Sequence, residues 1–334
     1  MKLATLKDGT RDGRLHVVSR DLGTAYPADG IARSLQEALD GWERIASRLS
    51  ELSDRLNRGG VPGAFAFDPR RAMAPLPRAY QWADGSVYES HFRLMQQAFD
   101  SESKLTFRKN EPMIYQGGSD DMLGPTDDIM AVDEAAGIDF EGELAVITGD
   151  VRMQTSAAEA AKCIRLVMLA NDVSLRNMIL HELGKGFGFY QSKPATSFSP
   201  VAVTPDELGA AWRDSMVHLP LLLTWNGNAF GRPNAGIGAG FTFAHLIAHA
   251  AVTRNLQTGS IVGSGTVSNP APDVGSACIA ERRAQERIAH GEPRTPYMKF
   301  GDRIRIEMLD ASGKTVFGAI DQRVVSFREK EKAA

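Results

Sequence analysis

Cysteine is scarce in this 334-residue chain: there are two, Cys163 and Cys278, and no CxxC pair. That excludes a disulfide framework and a cysteine-type zinc site. Long apolar runs are missing as well. None approaches the ~18–20 residues that span a bilayer, and the opening MKLATLKDGTRDGR has no apolar centre of a signal peptide. No charge of one sign dominates, since 38 Lys and Arg stand against 41 Asp and Glu for a net −3. Such weak acidity argues against electrostatic nucleic-acid binding. No repeat recurs at 20–50 residues. What is present is an ordinary globular composition, 43% hydrophobic and 24% charged, able to bury a large core. The expectation is a soluble, cytoplasmic protein without a membrane or nucleic-acid partner.

Several common site patterns also fail. His245 and His249 have a zinc-protease spacing, but Leu246 stands where glutamate is required. Gly313-Lys314-Thr315 resembles the end of a phosphate loop, yet Met308 occupies the place of the upstream glycine. Gly236-Ile237-Gly238-Ala239-Gly240 brings its last glycine one residue too early for a dinucleotide loop. There is no GxSxG elbow.

Residues 1–25 read as short strands around Asp-Gly turns. Ile31, Leu35, Leu39, Trp42, Ile45, Leu49, Leu52 and Leu56 then recur at three- and four-residue steps, predicting one helix of about 25 residues. Pro62, Gly63, Pro69, Pro75 and Pro77 punctuate the next stretch. This places a boundary between a small N-terminal domain, 1–75, and a catalytic domain, 76–330. Beyond it, residues 141–147 and 219–225 read as strands, and 157–169 and 243–251 as helices. Residues 304–308 and 316–317 read as a closing hairpin.

Asp139, Glu141 and Glu143 alternate, which in a strand puts three carboxylates on one face. They are either a solvated acidic face or ligands of a hard divalent cation, which would neutralise them. Asp172 closes an apolar run from Ile164. It is a turn residue or a buried acid needing a partner. Asp84 reads as a turn acid, and His91 follows it by seven residues.

Together these segments resemble the fumarylacetoacetate hydrolase family, from about Leu76 to Gln322. The resemblance matches Glu141 and Glu143 to the metal carboxylates of a D-x-E-x-E strand, and Asp172 in Asn171-Asp172-Val173-Ser174-Leu175-Arg176 to a further ligand. Asp84 and His91 keep the spacing of a metal-binding aspartate and catalytic histidine. Tyr115 and Lys193 resemble active-site residues, with Thr196 near the metal and Thr266 at substrate. The implied fold is α+β and mostly β: a mixed β-roll with peripheral helices, behind a small N-terminal domain. The implied assembly is a homodimer.

The sequence also departs from the family pattern. Ile179 replaces a glutamine and Ser86 a tyrosine; Asp100 stands where a substrate-binding arginine is expected, leaving Arg93 or Arg108 as substitutes. The glutamate that orients the histidine falls on Ala280, with Glu281 one residue later.

The implied chemistry is hydrolysis of a C–C bond in a β-diketo acid, fumarylacetoacetate giving fumarate and acetoacetate, as in tyrosine and phenylalanine catabolism. His91 would be the general base and Glu281 its orienting partner, with Lys193 and Arg176 stabilising oxyanion charge. Tyr115 and Thr266 would bind substrate. Asp84, Glu141, Glu143 and Asp172 would hold Mg²⁺ or Ca²⁺, with Mn²⁺ a further option. Two alternatives stand beside it: a decarboxylase or isomerase of a related oxo-diacid on the same metal site, and a non-catalytic metal- and ligand-binding protein.

Overall fold

The computed structural model describes residues 1–98, 111–328 and 330. Asp100 and Arg108 lie outside the described residues. The chain opens with strands β1 (Lys2–Leu6), β2 (Arg14–Val18) and β3 (Thr24–Pro27), followed by helices α1 (Leu35–Asp40) and α2 (Trp42–Asn57). The predicted single helix over residues 31–56 is thus two helices. Gly41 caps α1 through backbone bonds and starts α2, and only Leu49, Ser53, Leu52 and Leu56 of α2 are buried.

Next come β4 (Phe65–Ala66), β5 (Trp82–Ser86), α3 (Glu89–Ala98), β6 (Met113–Gly117), β7 (Ile129–Ala131), β8 (Gly142–Thr148), α4 (Ala157–Ala161) and β9 (Ile164–Asn171). Two expectations change here. Asp84 sits in a strand, not a turn. The helix expected over 157–169 stops after one turn, and the apolar run becomes β9. Its neighbours explain why. Leu166 and Met168 face one core cluster while Val167 and Leu169 face the other, so both faces of the strand are buried.

The remaining elements are α5 (Arg176–Lys185), β10 (Ala202–Val203), β11 (Leu221–Trp225), β12 (Asn228–Gly231), α6 (Phe243–Ala250), β13 (Ile261–Gly263), α7 (Ile279–His290), β14 (Arg303–Met308) and β15 (Ile320–Ser326). The main sheet runs β4-β3-β2-β1-β10-β9-β8-β13-β5-β6, antiparallel except where β13 meets β5. The N-terminal strands extend this sheet through the β1–β10 pair. A second sheet runs β12-β11-β14-β15-β7. There β14 pairs with β15, and the expected turn also closes at the end of β14: Leu309 bridges Thr315, and the Val316 N–H donates to the Met308 carbonyl at 3.0 Å. His245 is a helix-capping residue, its Nδ1 bonded to Thr242 at the start of α6. No helix among the described residues is long and apolar enough to cross a membrane.

Candidate active site and metal centre

Sheet register brings the acids together. Gly263 pairs with Ala145 on one side and Asp84 on the other, and Asp84 pairs with Tyr115. Glu143 lies two residues before Ala145 and shares its face of β8. Asp172 follows the last residue of β9. Glycine is required between the strands: a Cβ on Gly263 would lie 2.2 Å from Asp84 Oδ1. Gly265 has φ +76°, and a Cβ there would lie 2.3 Å from the Gly85 carbonyl. Its N–H donates to Asp84 Oδ1 at 3.1 Å.

Asp84, Glu143 and Asp172 are all buried and present carboxylate oxygens within 4.8 Å of one another. Among the described residues, neither oxygen of Glu143 has a hydrogen-bond partner. Burial, then the charges of Asp172 and Asp84 respectively, push the carboxyls of Asp84 and Glu143 well above their ordinary range. Orphaned oxygens in a cluster of like charge fit a divalent cation, whose preferred ligands are oxygens.

The expected D-x-E-x-E strand is two pieces. Asp139 ends the short strand Ile138–Asp139, Glu141 makes an isolated bridge to Cys278, and Glu143 belongs to β8. Asp139 lies outside the three-acid cluster. It accepts the N–H groups of Ile279 (2.7 Å) and Ala280 (2.9 Å), fixing the start of α7, and Arg176 Nε at 2.8 Å. Glu141 is held by cations: Arg176 Nη2 at 2.6 Å and Lys193 Nζ at 2.6 Å. Burial opposes its ionisation, but Lys193 and Arg176 outweigh burial and hold its carboxyl well below the ordinary range. Lys193 also donates to Asp172 at 2.7 Å, and these acids overcome its own burial to raise its ammonium. Asp172 further accepts the Tyr115 hydroxyl at 2.6 Å and that of Thr196 at 2.7 Å.

On the other side of the cavity, α3 carries His91 and α7 carries Glu281. His91 Nδ1 donates to Glu281 Oε1 at 3.0 Å. Glu281 is 2% exposed, so solvent does little to screen this pair. The contact leaves Nε2 as the basic nitrogen. His91, Asp84, Glu141, Glu143, Tyr115, Arg176, Lys193 and Thr266 all line one cavity of about 960 Å³. So do Ser86 and Ile179. Arg93 does not; it pairs with Glu89 on the surface of α3.

Two residues that sequence reasoning passed over support this wall. Glu182 of α5 accepts the N–H groups of Tyr190 (2.9 Å), Gln191 (2.8 Å) and Ser192 (3.1 Å), plus the Ser192 hydroxyl at 2.5 Å. The next residue is Lys193. Gln322 of β15 accepts Asn171 Nδ2 at 3.0 Å, and Asn171 Oδ1 accepts the Glu141 N–H at 3.1 Å. The Gln322 contact does not follow from local spacing, because its partner lies 151 residues away; the Glu182 clamp spans only eight to ten residues, but no regular element fixes that spacing.

This fold and this acid-and-histidine cavity define a class. The family model for the fumarylacetoacetate (FAA) hydrolase C-terminal region matches residues 81–325, and that for fumarylacetoacetase N-terminal domain 2 matches residues 1–78. The chain belongs to the fumarylacetoacetate hydrolase family. Among its relatives is the 2,4-didehydro-3-deoxy-L-rhamnonate hydrolase of Sphingomonas sp. (strain SKA58), 28% identical over 223 residues, which are 66% of each protein. The match therefore stops just short of two thirds of that relative, and others are matched over about half, 53%, of their length. Similar solved structures include the fumarylacetoacetate hydrolase of Exiguobacterium antarcticum (18% identity, TM-score 0.66, covering 98% of this chain and 99% of that one). Another is the maleylpyruvate hydrolase of Sphingobium sp. SYK-6 in complex with manganese(II) and pyruvate (17%, TM-score 0.64, 98% and 99%).

Proposed function

We propose that this protein is a divalent-metal-dependent hydrolase of a C–C bond in a dioxo acid, with fumarylacetoacetate the leading substrate. One observation carries the reading: His91, held by Glu281, and two acids of the Asp84/Glu143/Asp172 cluster, Asp84 and Glu143, line the same cavity. The manganese and pyruvate of the maleylpyruvate hydrolase structure are in keeping with such a site.

Asp84, Glu143 and Asp172 would hold Mg²⁺, Ca²⁺ or Mn²⁺, and Glu141 would join them through lone pairs that its bonds to Arg176 and Lys193 leave free. When bound, the cation supplies Lewis acidity to the oxygens of a chelating dioxo group. His91 Nε2 takes a proton from water, and the resulting hydroxide adds to the carbonyl carbon. Glu281 holds the imidazole by its Nδ1–H and stabilises the imidazolium. The C–C bond then breaks: one fragment leaves as a carboxylic acid, and the other departs as an enolate that takes the proton back from His91. Lys193 has three N–H donors, two of them used on Glu141 and Asp172. The third is available to the developing oxyanion, a contribution worth on the order of 3 kcal/mol in well-studied sites. Arg176 holds Glu141 in place. Tyr115 and Thr266 contact the substrate from either side of Asp84.

The test is fumarylacetoacetate turnover by metal-stripped protein, before and after addition of Mg²⁺, Ca²⁺ or Mn²⁺. Fumarate and acetoacetate formed only with metal, and lost in His91→Ala and Glu143→Gln, is the expected result. A folded, metal-loaded protein that yields CO₂ or a rearranged acid instead would transfer the site to the decarboxylase or isomerase alternative.

A further inference from the structure

Besides the acids and the histidine, the cavity is lined by apolar side chains, Met95 of α3, Met113 of β6, and Ile179 and Leu183 of α5, with Gln96 and Glu111 among them. Cations interrupt this lining. Arg176 and Lys193 are already bound to Asp139, Glu141 and Asp172. Arg283 is different. It lies on α7, where Ala280, Arg283 and Arg287 recur at i, i+3 and i+7 and all line the cavity, so one stripe of the helix faces it. Ala280 adjoins Glu281 of the histidine pair. At 1.5 Å per residue, Arg283 stands about 4.5 Å further along the helix axis.

The Arg283 guanidinium donates to the Thr295 carbonyl and stacks on Tyr297, 4.3 Å from the ring centroid. No carboxylate pairs with it among the described residues. These contacts hold the group in one place but use only part of its five donors. A guanidinium is a permanent cation whose planar fork matches a carboxylate. Facing a cavity lined by both apolar and polar side chains, and paired with no carboxylate among the described residues, it is a receptor for an anionic group brought by a ligand.

We propose that Arg283 is a specificity-determining residue: it binds a second carboxylate of the substrate, remote from the reacting carbonyls, so that the site prefers dioxo diacids to dioxo monoacids. The inference rests on the dioxo-acid reading above. The Ser86 and Ile179 replacements leave the intervening wall to contribute shape and apolar contact.

The experiment compares fumarylacetoacetate with crotonylacetoacetate, in which a methyl group replaces the fumaryl carboxylate. Both are offered to the metal-loaded protein, to Arg283→Met and to Arg283→Lys, each checked for folding by its thermal unfolding. The expected wild-type preference for the diacid in kcat/KM is about tenfold or more. Arg283→Met removes it by raising KM for the diacid alone, with kcat and the monoacid constants changed less than about twofold; Arg283→Lys keeps part of it. Equal losses on both substrates would assign Arg283 to holding Thr295 and Tyr297 and overturn the proposal, as would a wild type without preference. If neither compound is cleaved, the hydrolase reading fails, and both compounds become stable ligands. Titration calorimetry of the same pair then decides: tighter diacid binding that disappears in Arg283→Met supports the proposal, and equal or absent binding overturns it.

Discussion

The His91–Glu281 pair is poised by one contact. Glu281 touches His91 through one oxygen at 3.0 Å, which selects the Nδ1–H tautomer. Glu281→Gln should lower kcat about 100-fold or more, because an amide can present its NH₂ and turn the ring to the wrong tautomer. His91→Ala should cost as much, and the double variant little more than either single one. Steady-state kinetics of the three variants tests this: two independent, multiplying losses would show that the residues do not act as a pair. Glu281 was legible in the sequence despite its one-residue offset. Cys278 ends the preceding segment as the N-cap of α7, and Asp139 anchors the N–H groups of Ile279 and Ala280, so the first turn projects Glu281 toward His91. The different duties of Asp139, Glu141 and Glu143 were not legible. Alternation along the chain places all three on one side, but Arg176, Lys193 and the α7 N-terminus reach them from elsewhere and decide which remains available to a cation.

At the scale of elements, α5 is a brace. Its first residue, Arg176, binds Asp139 and Glu141, and near its other end Glu182 clamps residues 190–192, immediately before Lys193. Burial opposes the charge on Glu182, but the Ser192 hydroxyl and three backbone N–H groups outweigh it and hold the carboxyl down to about 2. A folded-state value below the unfolded one adds stability above the ordinary glutamate range, near 4.5, and that stability is lost as pH falls from there toward 2. Glu182→Gln should therefore be less stable than wild type above pH ~5, by about 1–2 kcal/mol, with the gap narrowing toward pH ~2. Urea unfolding at several pH values reads this directly, and a gap independent of pH would remove the clamp. The variant should also lower kcat/KM about tenfold, through a misplaced Lys193. Elements were legible where one face is buried, as in α6, whose apolar residues recur at helical spacing. They were misread where both faces are buried. Residues 164–169 carry no period because the sheet sits between two cores, and length alone does not tell a buried strand from a buried helix.

Across the whole molecule, the three clustered acids are more than 80 residues apart in sequence at their extremes, on β5, on β8 and just after β9. Folding forces them together at the cost of mutual repulsion in a buried place, since Asp84 and Asp172 act on Glu143 and, among the described residues, no side chain hydrogen-bonds its oxygens. A divalent cation that binds only the folded arrangement converts this repulsion into a tie between β5, β8 and β9. Such binding adds about 2.7 kcal/mol when the free ion is at 100 times its Kd. Thermal unfolding should therefore shift upward by several degrees when Mn²⁺, Mg²⁺ or Ca²⁺ replaces a chelator. Glu143→Gln separates the repulsion from the ligation. With one charge removed, the chelated variant should melt at or above the chelated wild type, and added metal should move it little. If instead the variant melts lower than wild type in chelator and still gains the full shift with metal, Glu143 is part of the packed sheet and the cation is held elsewhere.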